Sequence, residues 1–506
     1  MEPVNYINCN KTELLTYITK VNNSAILHIR EDVISNYSPN GVNCCYSDVI
    51  REQWSECSDT KIKYFYLLNF LNVEIKLCFC SISELIIKAS VREKLNTKNV
   101  KGISVLMVVI DSISRLNLIR TMPKTYQFLL DNHFIEMKGY NKIDDNTFPN
   151  FLAILAGFNL SQSMKICNPY EHNKLNECPM IWYNYRNLGY VTAYAEDYDT
   201  INTFCYGNKK GFIKSPTDYY LKSHVAAAEK LKIVKTSNMP FCTGPVSSGE
   251  RILNLAKDFI ETFRNYSSFG VFWMNTFSHN DINSPSMMDA KMEAFFRDLK
   301  ESGFFEDRIV IFLSDHGVRS GKIRFTRSGW FEERMPVNMI SVPRKFQEQF
   351  KTEYENLKKN SNKLTNTYDM YMTLQHILTL SELPYDIQRS AACPKCLSLF
   401  QEIPANRSCE DAAIPPWWCT CAGFFLPVDS NHEYVKNATK FCPREKYPRG
   451  FNHSVERVIS SSISEINTHD GSRYLYIAFR TIESSDFLMT VKFKDFIDNS
   501  SIFYVQ

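Results

Sequence analysis

The residues Asp315-His316-Gly317 close an apolar, β-branched run, Ile309-Val310-Ile311-Phe312-Leu313-Ser314. An acid beside an imidazole offers one oxygen and one nitrogen ligand to a single divalent cation. The plainer alternative is a turn in which Asp315 caps a helix and His316 is merely exposed. A second run of the same design, Ile103 to Ile110, ends in Asp111-Ser112. Between them, Asp144-Asp145-Asn146-Thr147-Phe148-Pro149-Asn150 precedes the helical run Phe151 to Gly157. Thr147 is expected at the N-cap, with Pro149 in the first turn and Gly157 as the stop. A hydroxyl there faces unpaired N–H groups and the positive end of the helix dipole. Capping alone would explain Thr147. So would a nucleophile attacking an anionic ester, whose developing oxyanion those N–H groups receive.

Two further runs repeat the pattern. Phe269 to Phe277 delivers Ser278-His279-Asn280-Asp281, and Tyr190 to Ala195 ends in Glu196-Asp197. Unbroken apolar runs of this length read as strands of a parallel sheet covered by helices on both faces. Their polar ends then share the carboxyl edge, where open α/β sheets place ligands. Helices are expected from Ser247 to about Tyr266 and from Met287 to about Ser302, both apolar at helical spacing. The expected fold class is α/β: a central, mostly parallel sheet flanked by helices, with a small N-terminal strand module and a Cys-rich, β-containing C-terminal tail.

At this point the chain resembles a known family, the animal DUF229 proteins of the alkaline phosphatase/sulfatase superfamily. The resemblance covers roughly residues 40–425. It rests on Asp111-Ser112, Asn146-Thr147-Phe148-Pro149-Asn150, Gly189-Tyr190 leading to Glu196-Asp197, and Pro216-Thr217-Asp218-Tyr219-Tyr220. It continues through Ser278-His279, Ser314 to Arg319, Gly329, Glu332 to Pro336, Arg407-Ser408-Cys409 and Trp418 to Cys421. The resemblance implies an alkaline-phosphatase-like fold. It also implies one divalent metal (Zn, Mn or Ca) held by Asp111, Asp315 and His316, with Thr147 as nucleophile and further ligand. Such an ion can act as Lewis acid and template while Thr147 forms a covalent intermediate. The implied activity is hydrolysis or transfer of a phosphate ester, a phosphodiester in particular. The substrate would be an anionic ester such as a lipid head group, a glycan or a nucleotide-like diester. The rival reading is a secreted binding protein that keeps the fold without turnover.

The chain departs from the superfamily at two points. Sulfatases carry a Cys or Ser, any residue, Pro, any residue, then Arg; here Thr147-Phe148-Pro149-Asn150-Phe151 stands there. Threonine cannot yield formylglycine, so sulfate-ester chemistry is disfavoured. Where two-metal relatives use Asp and a His four residues later, this chain has Asn275 and His279. An amide is a poorer ligand, so a second metal is doubtful, and His279 is expected to contact substrate or protonate the leaving group. Arg319, Lys322 and Arg324 could hold an anion's non-bridging oxygen or form a solvated basic loop. Asn275 is a further candidate substrate contact. Glu332 and Arg334 are expected to pair, and His376 to lie on a helix surface or to be a further ligand.

The 506 residues allow one large α/β domain with appendages, and 44% hydrophobic content is ample for a core. A net charge of +3 leaves no nucleic-acid footprint. Sixteen cysteines point to disulfides in an oxidising compartment, hence an extracellular or secretory-lumen location. A zinc ribbon from Cys393, Cys396, Cys419 and Cys421 is the alternative for that group. Glycosylation sequons begin at Asn10, Asn22, Asn36, Asn159, Asn265, Asn406, Asn437, Asn452 and Asn499. The expected organisation is an N-terminal Cys-containing strand module over 1–100, ending in the strand-like Val73 to Cys80, and a catalytic domain over 101–390. A Cys-rich segment over 391–425 and a β-containing tail over 426–506 follow, the tail carrying strands at Tyr474 to Phe479 and Asp486 to Phe493. Met1 to Asn8 lack a signal-peptide pattern and no apolar stretch is long enough to span a bilayer, so an incomplete start is expected.

Overall fold

Every residue of the strand Ser104–Ile110 is buried. Val105, Met107 and Val109 enter one hydrophobic core, and Leu106, Val108 and Ile110 enter another. A pleated strand sends successive side chains to opposite faces. A run apolar at every position is therefore what burial on both faces requires. The computed structural model describes residues 3–9, 16–21, 24–33, 45–51, 57, 60–66, 89–98, 100–445, 455–467, 471–482, 486–494 and 502–505.

This strand is central in a seven-stranded sheet. The order is Ile135–Glu136, Asn338–Ser341, Arg308–Leu313, Ser104–Ile110, Ser268–Met274, Val191–Glu196, Tyr219–Tyr220. From Arg308–Leu313 to Tyr219–Tyr220 all neighbours are parallel, while Asn338–Ser341 runs antiparallel to both of its neighbours. The helices Thr147–Ala156, Ile181–Asn187 and Thr367–Leu380 contribute to the first core. Ser248–Thr262 and Asp289–Glu301 contribute to the second. The expected mostly parallel sheet flanked by helices is thus present. The two helices expected from periodicity are present but shorter, ending at Thr262 and Glu301.

Of the N-terminal residues, Thr16–Val21 and Ser24–Ile29 form a hairpin, and Cys45–Arg51 pairs with Thr60–Tyr66. Residues 3–9 lie on the central domain: Val4 N donates to Ser286 Oγ at 2.7 Å, Tyr6 Oη donates to Glu250 at 2.8 Å, and Cys9 is bonded to Cys242. The strand expected over Val73 to Cys80 lies outside the described residues, as do Cys44, Cys78 and Cys80.

At the other end, the two expected tail strands belong to a five-stranded antiparallel sheet. Its order is Phe425–Pro427, Val455–Ser464, Arg473–Thr481, Asp486–Lys494, Ile502–Val505. The sheet begins at the junction of the Cys-rich segment and the tail. Trp417 and Phe425 both pack on Tyr476, with ring centroids 4.4 Å apart.

The described disulfides are Cys9–Cys242, Cys57–Cys205, Cys167–Cys178, Cys393–Cys396 and Cys409–Cys419. Cys421 is a free thiol. The zinc-ribbon alternative is overturned, because Cys393 and Cys396 bond each other and Cys419 bonds Cys409.

Candidate functional site

Strand register brings the first two candidate ligands together. Leu313 lies opposite Val109, so Asp315 and Asp111 leave adjacent parallel strands at the same height, two residues further on. Asp111 is tied in by its N–H to the Met274 carbonyl at 2.9 Å, and Ser314 by its N–H to Val337 at 2.9 Å. The chain turns immediately afterwards. Ser112 adopts φ 60°, the left-handed region that costs a non-glycine residue energy. That conformation lets its N–H reach Asp315 Oδ1 at 3.3 Å and its hydroxyl donate to Asp111 Oδ1 at 3.0 Å.

His316 is fully buried, and its Nδ1 lies 2.8 Å from the Gly317 carbonyl. A carbonyl only accepts, so Nδ1 carries the proton and Nε2 presents its lone pair. Nε2 lies 3.2 Å from Asp315 Oδ2, 3.7 Å from Asp111 Oδ1 and 3.5 Å from Thr147 Oγ1. Ligand atoms from Asp111, Asp315 and His316 all lie within 4.8 Å of one another.

The electrostatics of this cluster suit a bound cation. Burial pushes the His316 imidazole down to about 4, against the opposing pull of Asp315, so the ring is neutral at pH 7. Burial, then the Asp315 charge, holds Asp111 well above the usual carboxylate range. Burial acts to raise Asp315 as well, yet its carboxyl is held low, its ionised form receiving hydrogen bonds from the Thr147 hydroxyl and the Ser112 N–H. Asp315 Oδ2 is buried without a hydrogen-bond donor. An ionised carboxylate, a second carboxyl and an imidazole lone pair face one another across a few ångströms. Two oxygen donors, one nitrogen and a nearby hydroxyl match the preferences of a divalent ion. The residues fit a metal.

Thr147 is the first residue of the helix Thr147–Ala156. The N-cap is Asn146, so the expected capping role for Thr147 is one residue out, and its hydroxyl is left for the cluster. Gly157 ends the helix in the left-handed conformation, φ 66°. Asn150 fixes the loop ahead of Thr147. Its Oδ1 accepts from Ile143 N (2.8 Å) and Asp144 N (3.3 Å), and its Nδ2 donates to Asp144 O (2.8 Å) and Asn146 O (2.9 Å).

The other candidates are placed differently. Arg319 reaches the loop and donates to Asp145 Oδ2 at 2.8 Å. Arg324 pairs with Glu333 at 3.3 Å. His279 is half-buried outside the ligand cluster, with Nδ1 2.6 Å from Asn280 Oδ1. Asn275 does not offer its amide to a substrate: Oδ1 accepts from Trp273 Nε1 at 2.7 Å and Nδ2 donates to Glu196 at 3.0 Å. Glu196 and Asp197 likewise serve the interior. Glu196 receives the Thr203 N–H and hydroxyl, and Asp197 receives both N–H groups of Asn275 and Thr276. His376 bonds Ser398 Oγ at 3.0 Å on the helix Thr367–Leu380. Glu332 and Arg334 do not pair. Glu332 binds Arg120, and Arg334 stacks on Trp330 and approaches Glu333 at 3.7 Å.

Sequence reading missed Lys142. It is fully buried, donates to Glu333 at 3.1 Å and to the Asp145 carbonyl at 3.1 Å, and lies 3.8 Å over the Trp418 ring. Burial lowers its ammonium to about 8, the largest of several effects. Nothing in its spacing distinguishes it from a surface lysine. Together Lys142 and Arg319 hold Asp145, two residues ahead of Thr147, by its backbone and its side chain.

The family described as "Protein of unknown function (DUF229)" matches residues 2–444. Among solved structures, a protein in the alkaline phosphatase superfamily from Vibrio parahaemolyticus is similar at 13% identity, over 80% of this chain and 82% of that one, with a TM-score of 0.43. The lipoteichoic acid synthase from Listeria monocytogenes is similar at 12% identity, over 78% and 92%, with a TM-score of 0.40. The phosphonate monoester hydrolase from Silicibacter pomeroyi is similar at 12%, over 76% and 88%, with a TM-score of 0.40. No curated protein matches the chain.

Proposed function

We propose that this chain, which belongs to the DUF229 family, is a metal-dependent phosphodiester hydrolase or phospho-group transferase with Thr147 as nucleophile. One observation carries the reading: ligand atoms of Asp111, Asp315 and His316 converge within 4.8 Å of one another, and Thr147 Oγ1 lies 3.5 Å from His316 Nε2. Asp111, Asp315, His316 and Thr147 would hold the ion, which when bound supplies charge neutralisation, a lower hydroxyl pKa and polarisation of the phosphoryl group.

The chain's own residues account for the rest. The Thr147 oxygen attacks phosphorus as the bond to the leaving alcohol breaks, and water or an acceptor alcohol later releases the group from Thr147. Asn150, Lys142 and Arg319 pre-organise the loop, so the hydroxyl is held in place before substrate arrives. The first N–H groups of the helix Thr147–Ala156 face the developing negative charge. Arg319 and Arg324 are assigned to non-bridging oxygens, and His279, oriented by Asn280, to the leaving alcohol. Five described disulfides support an oxidising compartment. No described helix is long and apolar enough to cross a membrane.

The test is metal analysis of purified protein combined with aryl phosphomonoesters, phosphodiesters and sulfates. Diester turnover with one equivalent of metal is expected. Turnover of sulfates alone would replace the reading with sulfatase chemistry. A bound ion without any turnover would replace it with a binding protein.

A further inference from the structure

Phe325 is 84% exposed, the most exposed large hydrophobic side chain among the described residues. Its position is built into the fold. Thr326 N donates to Ile323 O at 2.9 Å, and the Thr326 hydroxyl donates to the same carbonyl at 2.7 Å while accepting from Gly329 N at 3.0 Å. Thr326 thereby caps the helix Arg327–Arg334, which starts two residues after the ring. A Cβ on Gly329 would lie 1.9 Å from the Ile323 carbonyl oxygen, so the helix packs directly against the turn that carries Phe325. The ring is held out in water by a hydrogen-bonded turn.

The chain on either side of it is basic, although Arg319 pairs with Asp145. From Gly317 to Phe331 there is no acidic residue, while Arg319, Lys322, Arg324 and Arg327 all fall there. Arg324 and Arg327 contact Glu333 and Glu465 but stay 44% and 63% exposed, and Lys322 has no ion-pair partner among the described residues. The buried core of a protein interface is apolar and depleted of charged residues. Here one aromatic ring stands among cations, with Ile323 half-buried beside it. That is the composition of a membrane-interfacial element, in which a ring enters the head-group boundary and cations meet anionic lipid.

We infer that the loop Arg319–Arg327 docks the protein on an anionic lipid surface through Phe325. The loop begins three residues past His316, and Arg319 holds Asp145 beside Thr147. Docking would thus place the loop that follows His316 at the lipid, and presenting a head-group ester to Thr147 rests on the function proposed above. The docking itself does not.

The test is co-sedimentation of the full chain with phosphatidylcholine vesicles, with and without phosphatidylserine. Wild type is expected to bind the phosphatidylserine vesicles in low salt and to release in high salt. Phe325→Ser should lower partitioning about tenfold, and Lys322→Glu about fivefold or more. Turnover of a soluble aryl diester by Phe325→Ser should match wild type, and Thr147→Ala should bind vesicles like wild type. Equal vesicle binding by wild type and Phe325→Ser, equal binding to both vesicle types, or none at all overturns the inference. None of these results touches the assignment of Thr147.

Discussion

A Cβ placed on Gly317 would lie 1.8 Å from the carbonyl oxygen of Glu332. The backbone leaving the candidate ligands therefore runs flush against the last turn of the helix Arg327–Arg334, and Gly317 N donates to Glu333 O at 3.0 Å. The Gly317 carbonyl is also the group that orients His316. Gly317→Ala must move that backbone. Metal affinity is expected to fall by about 10- to 100-fold, with about 1–3 kcal/mol lost from overpacking. Calorimetric titration with Zn²⁺ or Mn²⁺ measures the first quantity, and unchanged affinity would remove this carbonyl from the site.

Lys142 and Glu333 form a pair whose side chains are 0% and 4% exposed. Removing the cation leaves a buried carboxylate with less compensation. Lys142→Met is expected to cost about 3 kcal/mol, the low end for a broken buried pair because Arg324 and Arg334 remain. Lys142→Met with Glu333→Leu should cost less than the two single changes summed. Urea denaturation of the four proteins decides it; strict additivity would mean the pair is not coupled.

Glu196 gives a pH signature of folding. Burial raises its carboxyl from 4.5 to about 7, against the hydrogen bonds it accepts. An acid whose folded pKa is the higher one binds more protons folded than unfolded between those values. Stability from this group is thus fully present below pH 4.5 and declines as pH rises towards 7, by at most about 3 kcal/mol. Buried Asp197, raised to about 6, acts in the same direction over a lower window. Denaturation midpoints between pH 4.5 and 7 should show a shallower fall in Glu196→Gln than in wild type. Parallel curves would mean that folding leaves the Glu196 pKa unchanged.

Cys57–Cys205 closes a loop of 148 residues. In the chain-entropy model such a crosslink restricts the unfolded state by about 5 kcal/mol. The double change Cys57→Ser with Cys205→Ser is expected to lower the melting temperature markedly, and a reducing agent should lower that of wild type. A double variant as stable as wild type would mean the bond is absent from the folded protein.

The central sheet was legible because burial on both faces demands runs like Val105 to Ile110, apolar at every position, and few other elements do. Asp111, Asp315 and His316 were legible because each directly follows such a run, so the sheet's own register brings them together. Asn275 and Glu196 follow runs of the same kind, yet their polar atoms turn to one another. Position at a strand end does not reveal which acid joins the ligand cluster and which closes a loop behind it. Lys142 was hidden because its burial depends on Glu333 and Trp418, 191 and 276 residues away. Glu332 and Arg334 misled because nearness along the chain does not decide ion pairing on a helix: two residues apart, they point in different directions.

The role of Thr147 is tested most directly by comparing wild type with Thr147→Ala on an activated aryl phosphodiester, each protein loaded with one equivalent of metal. Wild type is expected to turn the ester over, and the variant, still able to hold the ion through Asp111, Asp315 and His316, to lose turnover by about a thousandfold or more. A metal-loaded Thr147→Ala protein that cleaves the diester at the wild-type rate would contradict the assignment.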